Sequence, residues 1–306
     1  MKRFHAAVAA NALARRNGVP PPLYLFTSAT FTSAGVTGQT GPNLAQCKDA
    51  YSTAGYSWAT DYLDMTTQGY QLWTVPRTGN YIVTCAGASI YTLASGFGKG
   101  IVIQTTISLT KGDQIQLLVG QRGTPASAAG FETDGAGGGS FVASGVTPAT
   151  GVCLVAAGGG GSFRPVINTG DAVQNAVVTT SGAAGLLTSG GTAGLGGDRS
   201  FYLGGGGGGF IGNGTRDGGV VDSLPYRGTS FRNGGLGGDY RPTASGGAGG
   251  FGGGAGGGTY GTAGGGGGGY SGGGIGNAAG GGGSFPSGAT YIGMNTGDGY
   301  ITIAAA

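Results

Sequence analysis

From residue 24 onward, apolar and polar positions alternate in short runs instead of recurring every three or four residues. YLFTSATFTS (24–33), GYQLWTVP (69–76), GNYIVTCAGA (79–88), KGIVIQTTISLTKG (99–112) and DQIQLLVGQRG (113–123) are β-branched and aromatic, and Gly, Pro, Asn and Asp bound them. This is the signature of strands. Lys111, Gly112 and Asp113 between two such runs predict a hairpin turn. SFVA (140–143), VCLVAA (152–157) and GYITIA (299–304) extend the same pattern toward the C-terminus. Only the opening MKRFHAAVAANALARRNGVPPP departs from it. Its Ala-rich spacing, Gly18 as a cap and Pro20 to Pro22 as a stop predict a helix over residues 2–16.

Glycine changes the picture after the first strands. Of 77 glycines, 63 lie at or beyond Gly130, including two runs of six at 204–209 and 264–269. A tether of this composition behaves as a random coil, but a tether has no use for recurrent apolar units. GGGSF stands at 137–141, 159–163 and 281–285, and GLGGD at 194–198 and 235–239. A phosphate-binding loop needs Lys and Ser or Thr directly after its glycines, whereas the Gly98-Lys99 pair is followed by Gly100. A packed solid remains. Chains in the polyproline II conformation, three residues per turn, carry no hydrogen bonds within their own helix. Without Cβ atoms they can approach closely and bond sideways, which satisfies the buried backbone.

The expected architecture is therefore mostly β. A β-sandwich over 23–157 closes with a last strand at 299–306, and a bundle of polyglycine II helices over 158–298 is inserted between them. A helical docking arm and Pro hinge occupy 1–22. The bundle core is expected at Gly204, Gly206, Gly209, Gly264, Gly266 and Gly269, with Phe163, Phe201, Phe210, Phe251, Tyr270 and Phe285 sealing its faces.

Charge narrows the function. Fifteen Lys and Arg oppose twelve Asp and Glu, and four of the cations fall in the first sixteen residues. The body therefore lacks the basic footprint of a nucleic-acid binder. Lys2, Arg3, Phe4, Val8, Leu13, Arg15 and Arg16 are the candidate assembly arm, docking on an identical subunit or another structural protein. The apolar core of this arm is too short and weak for a cleaved leader, and no run approaches the roughly 20 apolar residues of a membrane span.

Catalysis has little to build on. His5 lies in the arm, Asp61 and Asp64 sit in a turn-like DYLD stretch, and Cys47, Cys85 and Cys153 have no metal-ligand spacing. No enzyme activity, cofactor or metal is expected. Free buried thiols and one bridge both remain open. The notable surface chemistry is arginine beside aromatics: Arg164, Arg199, Tyr226, Arg227, Phe231, Arg232, Tyr240 and Arg241. Such pairs suit partner or glycan recognition, and they also suit the capping of glycine-helix ends or subunit packing.

The runs at 24–51 (YLFTSATFTSAGVTGQTGPNLAQCKDAY), 69–88, 107–123, 152–161 (VCLVAAGGGG) and 264–273 (GGGGGGYSGG) together resemble the glycine-rich domain of anaplastic lymphoma kinase and leukocyte tyrosine kinase. They are also similar to glycine-rich proteins of giant and algal viruses and marine microbes. The resemblance covers nearly everything after residue 22. It implies a TNF-like, jelly-roll sandwich with an inserted hexagonal array of polyglycine II helices. SIYTLASGF (89–97) departs from it, standing where those receptors carry more glycine. The functional expectation is a non-enzymatic structural or assembly protein of a virion or cell surface, as a spike, fibre or capsid-associated oligomer with host attachment. The alternative is a receptor-type or glycan-binding interaction module.

Overall fold

A computed structural model of the 306-residue chain describes residues 20–91, 98–126, 133–162, 172–198, 204–215, 226–240, 246–258 and 264–306. The chain is mostly β, with two five-stranded antiparallel sheets. The first joins β1 (Ser28–Phe31), β10 (Tyr300–Ala305), β4 (Gly79–Ala86), β5 (Gly100–Leu109) and β9 (Thr290–Asn295) in that spatial order. The second joins β2 (Leu63–Asp64), β3 (Tyr70–Thr74), β6 (Gln114–Leu118), β7 (Ser140–Ser144) and β8 (Val152–Ala157).

Alternation explains how these sheets pack. Phe31, Tyr81, Val83, Ile101, Ile103 and Ile303 of the first sheet meet Trp73, Ile115, Leu117, Val142 and Val155 of the second in one core. Trp73 stands at its centre, with ring centroids 5.7 Å from Tyr81 and 6.2 Å from Phe31. Asn80, Ile82 and Thr84 of β4 and Thr302 and Ala304 of β10, which alternate with the core positions, are exposed or half-exposed, so this part of the first sheet keeps one face toward solvent. The second sheet does not. Its other face, with Tyr70, Leu118, Phe141, Ala143 and Ala156, lies under Phe210, Phe231 and Phe251 from the glycine-rich half.

Three elements differ from the pattern reading. The turn at Lys111–Asp113 is not a hairpin, because β5 pairs with β4 and β9 while β6 pairs with β3 and β7. It carries the chain from one sheet to the other, with Gly112 at φ +87°. The helix Leu44–Thr53 has no counterpart in the strand pattern. Asn43 Oδ1 accepts from the Gln46 N–H at 2.9 Å and Gln46 Oε1 accepts from the Asn43 N–H at 2.8 Å, a reciprocal cap. Cys47 and Tyr51, one turn apart, are its buried positions. Finally, β9 lies at 290–295, inside the span expected to be glycine bundle.

Between β8 and β9 the described residues carry no named strand. The glycine segments nevertheless have regular surroundings. A methyl group on Gly205 or Gly208 would strike the carbonyls of Tyr226 and Thr229, and one on Gly206 or Gly209 those of Gly197 and Gly194. The carbonyls of Gly205 and Gly208 accept from Gly266 and Gly269, and those of Gly206 and Gly209 from Gly228 and Phe231. Environments thus repeat every third residue. The run 264–269 is bonded to or abuts chain at 137, 159–162, 205–208, 252–255, 273–276 and 280–283, which is six segments. Residues 1–19, most of the span expected to be a helical arm, lie outside the described residues.

Candidate functional site

Where the second sheet meets the glycine segments, aromatic rings do the joining. Tyr70 of β3 meets Phe231 edge to face at 5.0 Å and Phe251 at 6.2 Å. Phe210 stacks on Phe231 at 4.7 Å, and Tyr270 on Phe285 at 4.7 Å. These rings close the chain turns at which glycine segments reverse, and they bury the outer face of the sheet in doing so. Four of the six expected sealing rings, Phe210, Phe251, Tyr270 and Phe285, belong to this cluster. Phe163 and Phe201 lie outside the described residues.

All six expected core glycines, Gly204, Gly206, Gly209, Gly264, Gly266 and Gly269, are buried. A Cβ on Gly206 would come within 2.2 Å of the Gly197 carbonyl oxygen, and one on Gly266 within 2.0 Å of that of Gly273. Real Cβ atoms do not approach backbone so closely, so these sites admit no side chain.

The arginine and aromatic positions divide. Arg164, Arg199 and Arg241 lie outside the described residues, as do Lys2, Arg3, Phe4, Val8, Leu13, Arg15 and Arg16. Phe231 is 1% exposed in the aromatic cluster, so it packs the interior and presents nothing to a partner. Arg232 places its guanidinium 5.5 Å from the Phe210 ring centre and donates from Nη2 to the Gly151 carbonyl at 3.0 Å. That ties a glycine turn to the loop before β8. Tyr226 and Arg227 are half-buried, whereas Tyr240 is 45% exposed.

At the opposite side of the sandwich a cleft of about 540 Å³ is lined by Pro20, Pro22, Leu25, Phe26, Arg77 and Lys111 among others. Leu23 donates its N–H to the Pro76 carbonyl at 2.9 Å, and Lys111 Nζ donates to the Pro21 carbonyl at 2.5 Å. The chain is therefore fastened to the sandwich at residues 21–23.

Chemistry is muted elsewhere. Cys47, Cys85 and Cys153 are all free thiols. Burial pushes Cys47 and Cys85 up to about 12 and raises Cys153 well above its ordinary value, which removes thiolate character at neutral pH. Asp61 and Asp64 are exposed, and Asp64 Oδ1 accepts from the Met65 N–H. His5 lies outside the described residues. Among the described residues no group of three or more His, Cys, Asp or Glu is placed to hold a metal. No helix among them is long and apolar enough to cross a membrane.

Sequence reasoning missed Tyr70 and Phe141, the sheet's own half of the junction. Both sit in runs already read as strands, and alternation about Trp73 and Val142 would have assigned them to the opposite face.

No protein-family model matches the chain. Over 120 residues it is 32% identical to the leukocyte tyrosine kinase receptor of Mus musculus, a stretch that takes in 37% of this chain. The same stretch amounts to 13% of the receptor, so the similarity is to a small part of a much longer protein. The resemblance carried by the quoted runs is met by this partial match to leukocyte tyrosine kinase.

Proposed function

We propose that the chain is a non-enzymatic structural and assembly component of a virion or cell surface, working as a rigid spike, fibre or capsid-associated part. In this reading the sandwich is of the TNF-like jelly-roll type, and the glycine segments are polyglycine II helices. The observation that carries it is the three-residue repeat of neighbours along 205–209, whose carbonyls accept in turn from the segments at 266–269, 228–231 and 197. Three residues per turn is the polyproline II period. A lattice of that kind cannot bend at one segment without breaking bonds to several others, which suits a load-bearing spacer. The fastening of Leu23 and Pro21 to the sandwich supports a docking role for the arm, since force on the arm would pass directly into the sheets. The near balance of charge outside the arm argues against nucleic acid as partner.

A second reading, an interaction module for a protein ligand or glycan, is favoured by the similarity to a receptor. Sedimentation of native extracts probed with an antibody to the chain separates the two. Recovery with particles or surface assemblies supports the structural role. Recovery only in the soluble fraction overturns it, and binding to immobilised glycans or a secreted protein would then support the module.

A further inference from the structure

We infer that β9 is a self-association edge, where a second copy of this chain pairs antiparallel about a two-fold axis centred between Ile292 and Gly293. This deepens the assembly reading and rests on it for its biological setting.

β9 ends the first sheet, and among the described residues its outer backbone groups make no hydrogen bond. Tyr291, Ile292 and Met294 are 51%, 52% and 39% exposed, a rare concentration of large apolar side chains on one free strand. The strand also contains a bulge. Gly293 pairs with Val102 and Tyr291 with Ile103, which leaves Ile292 as the extra residue. Residues directly opposite on paired strands share a face. Tyr291 therefore lies on the face of Ile103, and Met294 on that of Ile101, both core residues at 1% exposure. Two residues three apart would ordinarily point to opposite faces; the bulge brings both to the inner one. The second sheet does not cover them, because its last strand β8 packs against β4 and β5, and the start of β8 is itself open, with Val152 59% exposed. The flank of the sandwich is unfinished.

The chemistry selects the occupant. Neither β8 nor β9 carries a charged side chain, so the strands of this flank offer no ion pair to a partner that binds through charge. It needs a free strand edge with apolar side chains, and a second copy brings one. Antiparallel pairing about the stated axis sets Thr290 opposite Asn295, Tyr291 opposite Met294, and Ile292 opposite Gly293. Tyr291 and Met294 then meet on the same face, as the bulge requires, in a sulfur–aromatic contact. Gly293 leaves room for Ile292. A bulge often blunts an edge against pairing; here it aligns the two residues that self-pairing brings together. A two-fold interface of this kind closes on itself and stops at the dimer.

Light scattering of the purified full chain over a range of concentrations, with Tyr291→Lys and Met294→Lys variants, tests this. The expected result is a dimer of twice 29.4 kDa that persists or strengthens as salt rises, since apolar contacts are not screened. Each lysine variant should be a monomer that melts where the wild-type chain melts once diluted to monomer, its site being exposed. Arg15→Glu with Arg16→Glu should leave the dimer intact. A wild-type monomer at every concentration overturns the inference, as does a dimer indifferent to both lysines or one dissolved by salt or by the arm variant. A chain monomeric in isolation yet recovered with particles would refute the edge while leaving the assembly role standing.

Discussion

Tyr70 and Phe231, 161 residues apart, are joined twice: the Tyr70 hydroxyl donates to the Phe231 carbonyl at 2.5 Å, and their rings meet edge to face at 5.0 Å. One belongs to a strand of the second sheet and the other to a turn of the glycine half, so the pair welds the two halves. Tyr70→Phe keeps the ring and loses the bond, at a cost of about 0.5 to 1.5 kcal/mol, the Gly234 N–H still serving the carbonyl. Tyr70→Ala removes the ring as well and should cost about 3 to 5 kcal/mol. Both should shift one cooperative denaturation curve. Separate transitions for the sheets and the glycine segments would show that the weld does not couple them.

Two glycine-to-alanine changes discriminate a packed lattice from slack chain. Gly206→Ala places a methyl 2.2 Å from a backbone oxygen in a site where nothing flexible can yield. A loss of about 3 kcal/mol or more is expected, at the upper end of overpacking costs. Gly79→Ala, at the start of β4, meets nothing within 4 Å and should change stability by less than about 0.5 kcal/mol. Equal melting temperatures for the two variants would rule the lattice out.

The sheets were legible because alternation survives in runs such as Tyr81, Val83 and Cys85, whose burial repeats every second residue. The turn at Gly112 was not, since a tight turn between two strands reads the same whether it stays in one sheet or crosses to another. The helix Leu44–Thr53 was hidden by weak amphipathicity, although Asn43 and Gln46 spell a capping box. β9 was obscured by the glycines before it, despite Tyr291 and Ile292. For the candidate site, glycine runs announced a core, and Phe210, Phe251, Tyr270 and Phe285 could be read as its seal. Whether Arg232 faced a partner or the protein depended on Gly151, a residue 81 positions away that no local pattern connects to it.

The arginines give a third test, because their surroundings differ. Arg232→Ala removes the bond to Gly151 and the packing on Phe210, and should cost about 1 to 3 kcal/mol. Arg227 makes no hydrogen bond among the described residues and is half-buried, so Arg227→Ala should leave the melting temperature within about 2 °C of wild type. If Arg227→Ala instead abolishes capture by particles or glycans while the fold is intact, that residue belongs to a recognition surface and Arg232 to the frame.

Alkaline pH should unfold the protein earlier than its acidic groups would suggest. Burial holds the Cys47 and Cys85 thiols protonated up to about 12, against an ordinary value near 9 in the unfolded chain, and it raises the Tyr24, Tyr51 and Tyr70 phenols above their ordinary 10. A folded pKa above the unfolded one means that the folded state binds the proton more tightly. The associated stability is complete below pH 9 and is lost as pH rises toward 12. At pH 10 each thiol then costs about 1.4 kcal/mol, because only the unfolded chain ionises it. Melting temperature should be level up to about pH 8.5 and fall beyond it, more steeply above 10 as unfolded tyrosines join. Cys85→Ala should lower the whole curve, since it opens a cavity, but flatten its slope between pH 9 and 10. A slope the same in wild type and Cys85→Ala would mean that this thiol ionises freely in the folded protein, and that the core around β4 admits water.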